Sequence, residues 1–325
     1  MAIKLDVTDK RILYELEQNC RRSLNEIAKR VRASKQTLHY RIERLVREGT
    51  ITQFIAILNV AKLGLVNHEV WIQLGDLPEP KKKAFIEFLV SHKNTRWVAS
   101  CGGKIDVAIA ITAENIVQFD SIWQDILDKY PNHVKNYFVN VTPEYFTYPR
   151  THLIGENENR HFSHLGGEPK RLQLDETEMR ILDILSKYAR MPLTEIAKKV
   201  GVTENTIRTK IKRLENDEVI QTYAAIIQPT TLGLVHFEIL ATTQNMTKEQ
   251  EKALETYCLL NPYVTYYLRM IGKFDIDIAF DANNNEQFQN TIIEFRSRFS
   301  GIIKEFEFVY ILKHEKFDYF AGMKK

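Results

Sequence analysis

The sequence predicts an α+β chain built from two tandem copies of one unit, each a small helical domain followed by a β-α-β-β-α-β domain. Three observations lead there. The stretch "SLNEIAKRVRASKQTLHYRIERL" (Ser23 to Leu45) returns as "PLTEIAKKVGVTENTIRTKIKRL" (Pro192 to Leu214). Leu24 matches Leu193, Arg44 matches Arg213, Gly64 matches Gly233 and Asp106 matches Asp275, all at one offset of roughly 169 positions. From Leu5 to Glu69, about 26 of 65 positions are identical to their partners without a gap, far beyond chance. Finally, each copy changes part-way along from the helical period to the two-residue strand period. The divisions read from this are 1–58 (helical), 59–148 (sheet-bearing), 149–171 (linker), 172–227 (helical) and 228–325 (sheet-bearing).

The helical domains come first in each copy. Thr8 is placed to cap a helix with Ile12, Leu13 and Leu16 inward. Ser23 and Glu26 have capping-box spacing, and Leu24, Ile27, Ala28 and Val31 form one apolar stripe. After a break at Arg32-Ala33, Ser34 starts another helix with Leu38, Ile42 and Leu45 inward. The second copy repeats this with Leu193, Ile196, Ala197 and Val200, a Gly201-Val202 break, the cap Thr203, and Ile207, Ile211 and Leu214. Two short helices around a tight turn, the second polar and basic outside, make a helix-turn-helix pattern. The strand-like "TITQFIAIL" and "VIQTYAAII" that follow would serve as a wing or as a hinge to the next domain.

In the sheet-bearing domain, "HEVWIQL", "TRWVASC", "DVAIAIT" and "NYFVNVT" read as strands, with helices over Lys81–Lys93 and around Ile116–Tyr130. That order is the ferredoxin-like arrangement. In "DVAIAIT" both faces are apolar, so helices must cover one side and a second sheet, from the other copy, the other. The intervening "THLIGENENRHFSHLGGEPKR" has no sustained apolar period and reads as a linker. Its histidines, His152, His161 and His164, are expected to be solvated rather than to hold a metal.

Composition narrows the classes. Apolar content of 44% and charged content of 27% suit a globular protein of two or more domains. No apolar run approaches the roughly 20 residues of a membrane span. "MAIKLDVTDKRIL" has no apolar leader segment. Cys20, Cys101 and Cys258 lack CxxC spacing, which disfavours a disulfide framework or a zinc site and points to a reducing cytoplasm.

With these residues in view the chain resembles the Lrp/AsnC (feast/famine) transcription regulators. The resemblance rests on "LDVTDKRIL…SLNEIAKRV…RIERLVREGTI", "LGL" and "GKIDVAIAI", and on "LDETEMRIL…PLTEIAKKV…KIKRLENDEVI", "LGL" and "GKFDIDIAF". It implies winged helix-turn-helix domains joined to ferredoxin-like ligand-sensing domains that pair through their sheets. A single copy is the usual family chain, so the fusion implies a dimer-like unit within one polypeptide, with further assembly between chains left open. Double-stranded DNA is the implied partner; no cofactor, metal or membrane partner is expected.

Residues of types suited to DNA lie on the second helix of each motif. In the first copy they are Lys35, Gln36, Thr37, His39, Tyr40, Arg41, Arg44 and Arg47. In the second they are Asn205, Thr206, Arg208, Thr209, Lys210 and Arg213, with Glu204 adding a negative charge near the tip. Residues 1–58 carry about +5 and residues 170–227 about +2, so the second phosphate footprint should be weaker.

The resemblance also implies a small effector such as an amino acid, beside a Gly-containing loop. The matching positions are Gly102, Gly103, Lys104 and Asp106, with Met270, Ile271, Gly272, Lys273 and Asp275 in the second copy. Two readings stand: backbone amides and aspartate receive a ligand, or glycine serves the hairpin and aspartate caps turn amides.

Two other classes compete. Siroheme and heme-pathway decarboxylases look like the same chain but bind a tetrapyrrole, which requires histidine and arginine to converge. The candidates His92, His133, Arg96 and Arg269 do not recur at equivalent positions, and no paired carboxylates or nucleophile motif is apparent, so the chain is not expected to be an enzyme. The other is a sequence-tolerant architectural DNA binder.

Overall fold

A computed structural model describes residues 3–155 and 162–323. The first copy runs α1 (Val7–Asn19), α2 (Leu24–Val31), α3 (Lys35–Arg47), β1 (Ile51–Leu58), β2 (Val66–Leu74), α4 (Glu79–Ser91), β3 (Thr95–Gly102), β4 (Val107–Ala113), α5 (Ile116–Lys129) and β5 (Val134–Thr147). A short strand β6 (Ser163–Gly166) follows. The second copy runs α6 (Glu176–Leu185), α7 (Leu193–Val200), α8 (Glu204–Asn216), β7 (Ile220–Ile227), β8 (Val235–Thr243), α9 (Lys248–Leu260), β9 (Val264–Gly272), β10 (Ile276–Ala282), α10 (Asn285–Arg298) and β11 (Ile303–Phe317). No described helix is long and apolar enough to cross a membrane.

Local sequence sets the heads. Ser23 and Glu26 form the expected capping box, Ser34 and Thr203 cap α3 and α8, and Arg32 and Gly201 end α2 and α7 in left-handed conformation. One assignment shifts. Asp6, not Thr8, caps α1, because Asp6 and Asp9 form their own box and draw Thr8 into the first turn.

The strands after the heads act as neither a free wing nor a simple hinge. β1 and β7 pair antiparallel with each other, Ile55 opposite Ala224 and Ala56 opposite Tyr223. Each is thereby relieved of an unpaired edge. The backbone N–H of Cys20 donates to Tyr223 and that of Ala189 to Phe54, both at 2.8 Å, which ties each head to the other copy's strand.

The two ferredoxin-like sheets join into a closed barrel. Strand order is β2-β4-β3-β11-β8-β10-β9-β5, with β5 returning to β2 and β6 added to β5. Closure depends on two long strands that change sheets. β5 lies against β2 near Val139 and against β9 near Tyr145, while β11 lies against β8 near Phe308 and against β3 near His314. The expected second sheet is therefore present, but joined edge to edge as well as packed across the interior. Gly272 marks one crossing: a Cβ there would lie 2.5 Å from the Val139 carbonyl oxygen. In β4, Val107, Ile109 and Ile111 meet the helices, while Ala108 and Ala110 face the other copy.

The segment read as a linker carries structure. Thr151–Leu153 makes a 3-10 turn, and β6 pairs with the end of β5. His152 is not solvated; its side chain is buried, stacks on Tyr263 and lies 3.8 Å from Asp281. His164 stacks on Phe146, and His161 lies outside the described residues. Among the described residues no His/Cys/Asp/Glu group could hold a metal ion.

Charged residues line the barrel interior. Arg96 donates to Asn67 at 3.0 Å, lies 3.4 Å from Glu69, and packs over the rings of Tyr145 and Tyr319. Arg150 bridges Glu17 of α1 and Asp281 of β10, and His236 meets Asp281 at 2.7 Å. Glu238 and Asp277 sit diagonally on paired strands, and among the described residues neither forms an ion pair. Burial, then Asp277 and Glu69, pushes the Glu238 carboxyl well above its usual range, and burial, then Glu69, does the same to Asp277.

Because the folded state holds protons that the unfolded chain releases, this pair stabilises fully below the ordinary carboxylate pKa, about 4. That contribution is lost as pH rises through the raised folded values. Glu238→Gln therefore gains stability relative to the parent as pH rises from about 5 to about 8. Parallel urea-midpoint profiles for the two proteins would contradict this.

Candidate nucleic-acid interface

α3 and α8 each rest on the apolar stripe of the preceding helix and show a polar face outward. Leu38, Ile42 and Leu45 are buried in one head, Ile207, Ile211 and Leu214 in the other. The outward face divides into residues held within the head and residues left presented.

Four of the expected DNA contacts brace the head. Arg41 donates to Asp6 at 2.7 Å and to Asp9 at 2.8 Å, and Arg44 donates to Asp9 at 2.7 Å. In the second copy Lys210 pairs with Asp175 and lies 3.7 Å from Glu178, while Arg213 pairs with Glu178 at 3.0 Å. These acids are the capping boxes of α1 and α6, so the same device fixes the reading helix to the first helix in both heads. Asp6 and Asp175 are held below the ordinary aspartate range, Asp6 chiefly by the Asp9 backbone amide and then Arg41, Asp175 chiefly by Lys210. Arg41, Arg44, Lys210 and Arg213, expected on the DNA-reading face, each have a buried or capping carboxylate as a partner.

The other positions divide similarly. Thr37 and Thr206 hydroxyls lie 2.8 and 2.9 Å from the capping hydroxyls of Ser34 and Thr203. His39 lies 3.3 Å from Glu43, and Arg208 is paired with Glu204 at 2.7 Å. Lys35, Gln36, Tyr40 and Arg47 are exposed on α3, and Asn205 and Thr209 on α8. Lys212, whose copy-one counterpart is Glu43, is also exposed on α8. The two faces therefore differ in charge, as expected.

The Gly-containing loops join β3 to β4 and β9 to β10. Gly103 has φ +103, a conformation that favours glycine. Asp106 accepts the Leu74 backbone N–H at 2.9 Å, and Asp275 accepts that of Thr243 at 2.6 Å. Lys104 and Lys273 both reach Glu307, at 3.3 and 3.0 Å. Gly102 lies against Leu312, Met270 is buried, and Ile271 is exposed. Each loop aspartate thus closes the end of its own copy's first sheet strand.

The four tetrapyrrole candidates do not converge. Arg96 is inside the barrel; His92 and His133 lie by the aromatic cluster of Phe85, Phe88 and Tyr130 under α4; Arg269, in the second copy, pairs with Glu251 of its own copy and Glu144 of the first.

Comparison with known proteins matches this organisation. A winged helix-turn-helix DNA-binding family model matches residues 5–52 and 174–221. The HTH-type transcriptional regulator FL11 of Pyrococcus abyssi is 30% identical over 135 residues, which span 41% of this chain and 85% of that protein. The chain belongs to the Lrp/AsnC family of helix-turn-helix transcriptional regulators. The regulator's likeness to LrpA of Pyrococcus horikoshii is higher but shorter, 48% over 60 residues, spanning 18% of this chain and 43% of that protein. Its whole two-copy architecture is shared with a solved siroheme decarboxylase, NirDL, at TM-score 0.60 and 12% identity, covering 96% of this chain and 93% of that one. That likeness concerns the fold.

Proposed function

We propose that this regulator binds one double-stranded DNA site with both heads of a single chain, and that a small effector such as an amino acid modulates the binding. The observation that supports it best is the β1–β7 pairing, which joins the two heads about a pseudo-two-fold axis inside one polypeptide. Heads paired in this way address two half-sites about one helical turn apart. The reading faces differ, Lys35 and Gln36 against Glu204 and Asn205, so the preferred site is an imperfect palindrome.

The unequal charges of the barrel interior support pairing of unlike copies. By the repeat, Arg150 corresponds to Tyr319, Asp281 to Thr112 and Glu17 to Ser186, so only the mixed pairing assembles the Glu17–Arg150–Asp281 network. The reading excludes catalysis. A Soret shift on adding siroheme, together with a decarboxylated product, would overturn that part.

Two substitutions separate reading from bracing. Lys35→Ala weakens binding to a selected duplex by about 1–3 kcal/mol if it reads a base, with the melting profile unchanged. Arg44→Ala costs about 1.5–3 kcal/mol of head stability, because Asp9 loses a charged hydrogen bond. Paired titration and thermal melting of both variants test this; an Arg44→Ala protein that melts like the parent but has lost DNA binding would return Arg44 to the DNA-contacting face.

A further inference from the structure

The two copies differ where a head meets the barrel. Between the β1/β7 pair, the end of α1 and the crossing ends of β5 and β11 lies a cavity of about 250 Å³. Its wall includes Gln18, Arg150, Tyr266 and His314. The repeat places Trp97 opposite Tyr266, Tyr145 opposite His314 and Tyr319 opposite Arg150. Those three, all buried, line a separate void of about 40 Å³ in the barrel interior together with Tyr266 and His314, room for a water molecule. At these wall positions the other copy carries Trp97, Tyr145 and Tyr319, so the two copies do not offer equivalent linings.

We propose that the open junction is a ligand site, taking one zwitterion of amino-acid size with an uncharged side chain per chain. Its volume lies just below the usual range for small-molecule sites, about 300–1,000 Å³, and so suits a ligand smaller than a typical drug. At one end the wall presents opposite charges side by side, the Glu17 carboxylate and the Arg150 guanidinium. Gln18 adds an amide nitrogen that is buried and has no hydrogen-bond partner. His314 accepts the Trp97 indole N–H on Nδ1, which leaves its own proton on Nε2 as a donor. Burial, then His236 and Arg150, hold that ring neutral. At the other end Ala224 and Ile226 of β7 form an apolar strip, which has no partner to offer a charged side chain.

The inference names the effector site of the regulator and rests on that reading for its consequence. A ligand there touches α1 and β7 on the head side and β9 and β11 on the barrel side, so occupancy biases how the paired heads sit on the barrel. It differs from two loop sites in stoichiometry and place.

Calorimetry of the full chain without DNA tests it, with L-leucine, L-phenylalanine, L-glutamate and L-lysine as probes. At least one uncharged-side-chain probe binds at one site per chain, and more tightly than either charged one. Gln18→Met weakens that binding about tenfold, the worth of one charge-assisted hydrogen bond. Ala224→Leu, which narrows the cavity, weakens it further in a protein whose melting is checked first. No binding by any probe, two sites per chain, preference for a charged side chain, or indifference to Gln18→Met overturns the proposal. Amino-acid binding by a parent chain that holds no double-stranded DNA at low salt leaves the site standing and overturns the DNA-binding reading instead.

Discussion

Arg96→Ala lowers the unfolding free energy by about 3–5 kcal/mol. Arg96 is 5% exposed, and its guanidinium is the only cation within hydrogen-bond or ion-pair distance of Glu69 among the described contacts. It also lies 5.2 and 5.1 Å from the Tyr145 and Tyr319 ring centres. Truncation leaves the Glu69 carboxyl buried with Asn67 alone, so the group must either stay charged at high desolvation cost or take a proton. Burial already pushes Glu69 above its usual range with Arg96 in place. The pair itself is worth much less than the penalty for breaking it. Replacing both partners, Arg96→Met with Glu69→Leu, therefore recovers most of the loss. Urea unfolding of the parent, single and double variants measures this. A single variant within about 1 kcal/mol of the parent would show that the interior charges are solvated.

Placing acids on the second reading face, Asn205→Glu with Thr209→Glu, lowers affinity for a two-half-site duplex by about 10²- to 10⁴-fold. Both positions are exposed, and neither takes part in the Lys210 and Arg213 braces, so the head stays folded. The size of the effect comes from linkage. Once the first head is bound, the second finds its half-site at high effective concentration, because β1 and β7 hold the two together. Affinity should fall to that of the parent for a single half-site, and the dependence on salt should become shallower as phosphate contacts are lost. Titrations of both duplexes at two salt concentrations decide it. Unchanged affinity would mean that the second head does not touch DNA.

What could be read from the sequence was local. The Ser23–Glu26 box, the Ser34 and Thr203 caps and the stripes of α2 and α7 each depend on residues within one or two turns, and all are found in place. The β-α-β-β-α-β order was legible because strand and helix periods alternate cleanly. What escaped was choice of partner. The apolar strand of β1 declares a need for pairing without naming β7. "NYFVNVT" marks only part of β5; the strand continues through Pro143 to Thr147 and so crosses to the other copy's sheet. Arg41 and Arg44 have the right spacing to face outward, yet their acids lie some thirty residues upstream. A signal was available there. Acid and base are retained together in both copies, as Asp6, Asp9, Arg41 and Arg44 and as Asp175, Glu178, Lys210 and Arg213. Asp277 and Asp281 likewise alternate with Ile276, Ile278 and Phe280, a pattern that reads as a solvated face until the barrel closes over it.

Hydroxyl-radical footprinting on a duplex selected from random sequence, with the protein-to-DNA ratio measured on the same complex, is the most direct test of one chain gripping one site with two unlike heads. Two unequal protected patches, centred about 10–10.5 base pairs apart and formed by a single chain, are expected. One patch alone, or a strict palindrome that needs two chains, would contradict it.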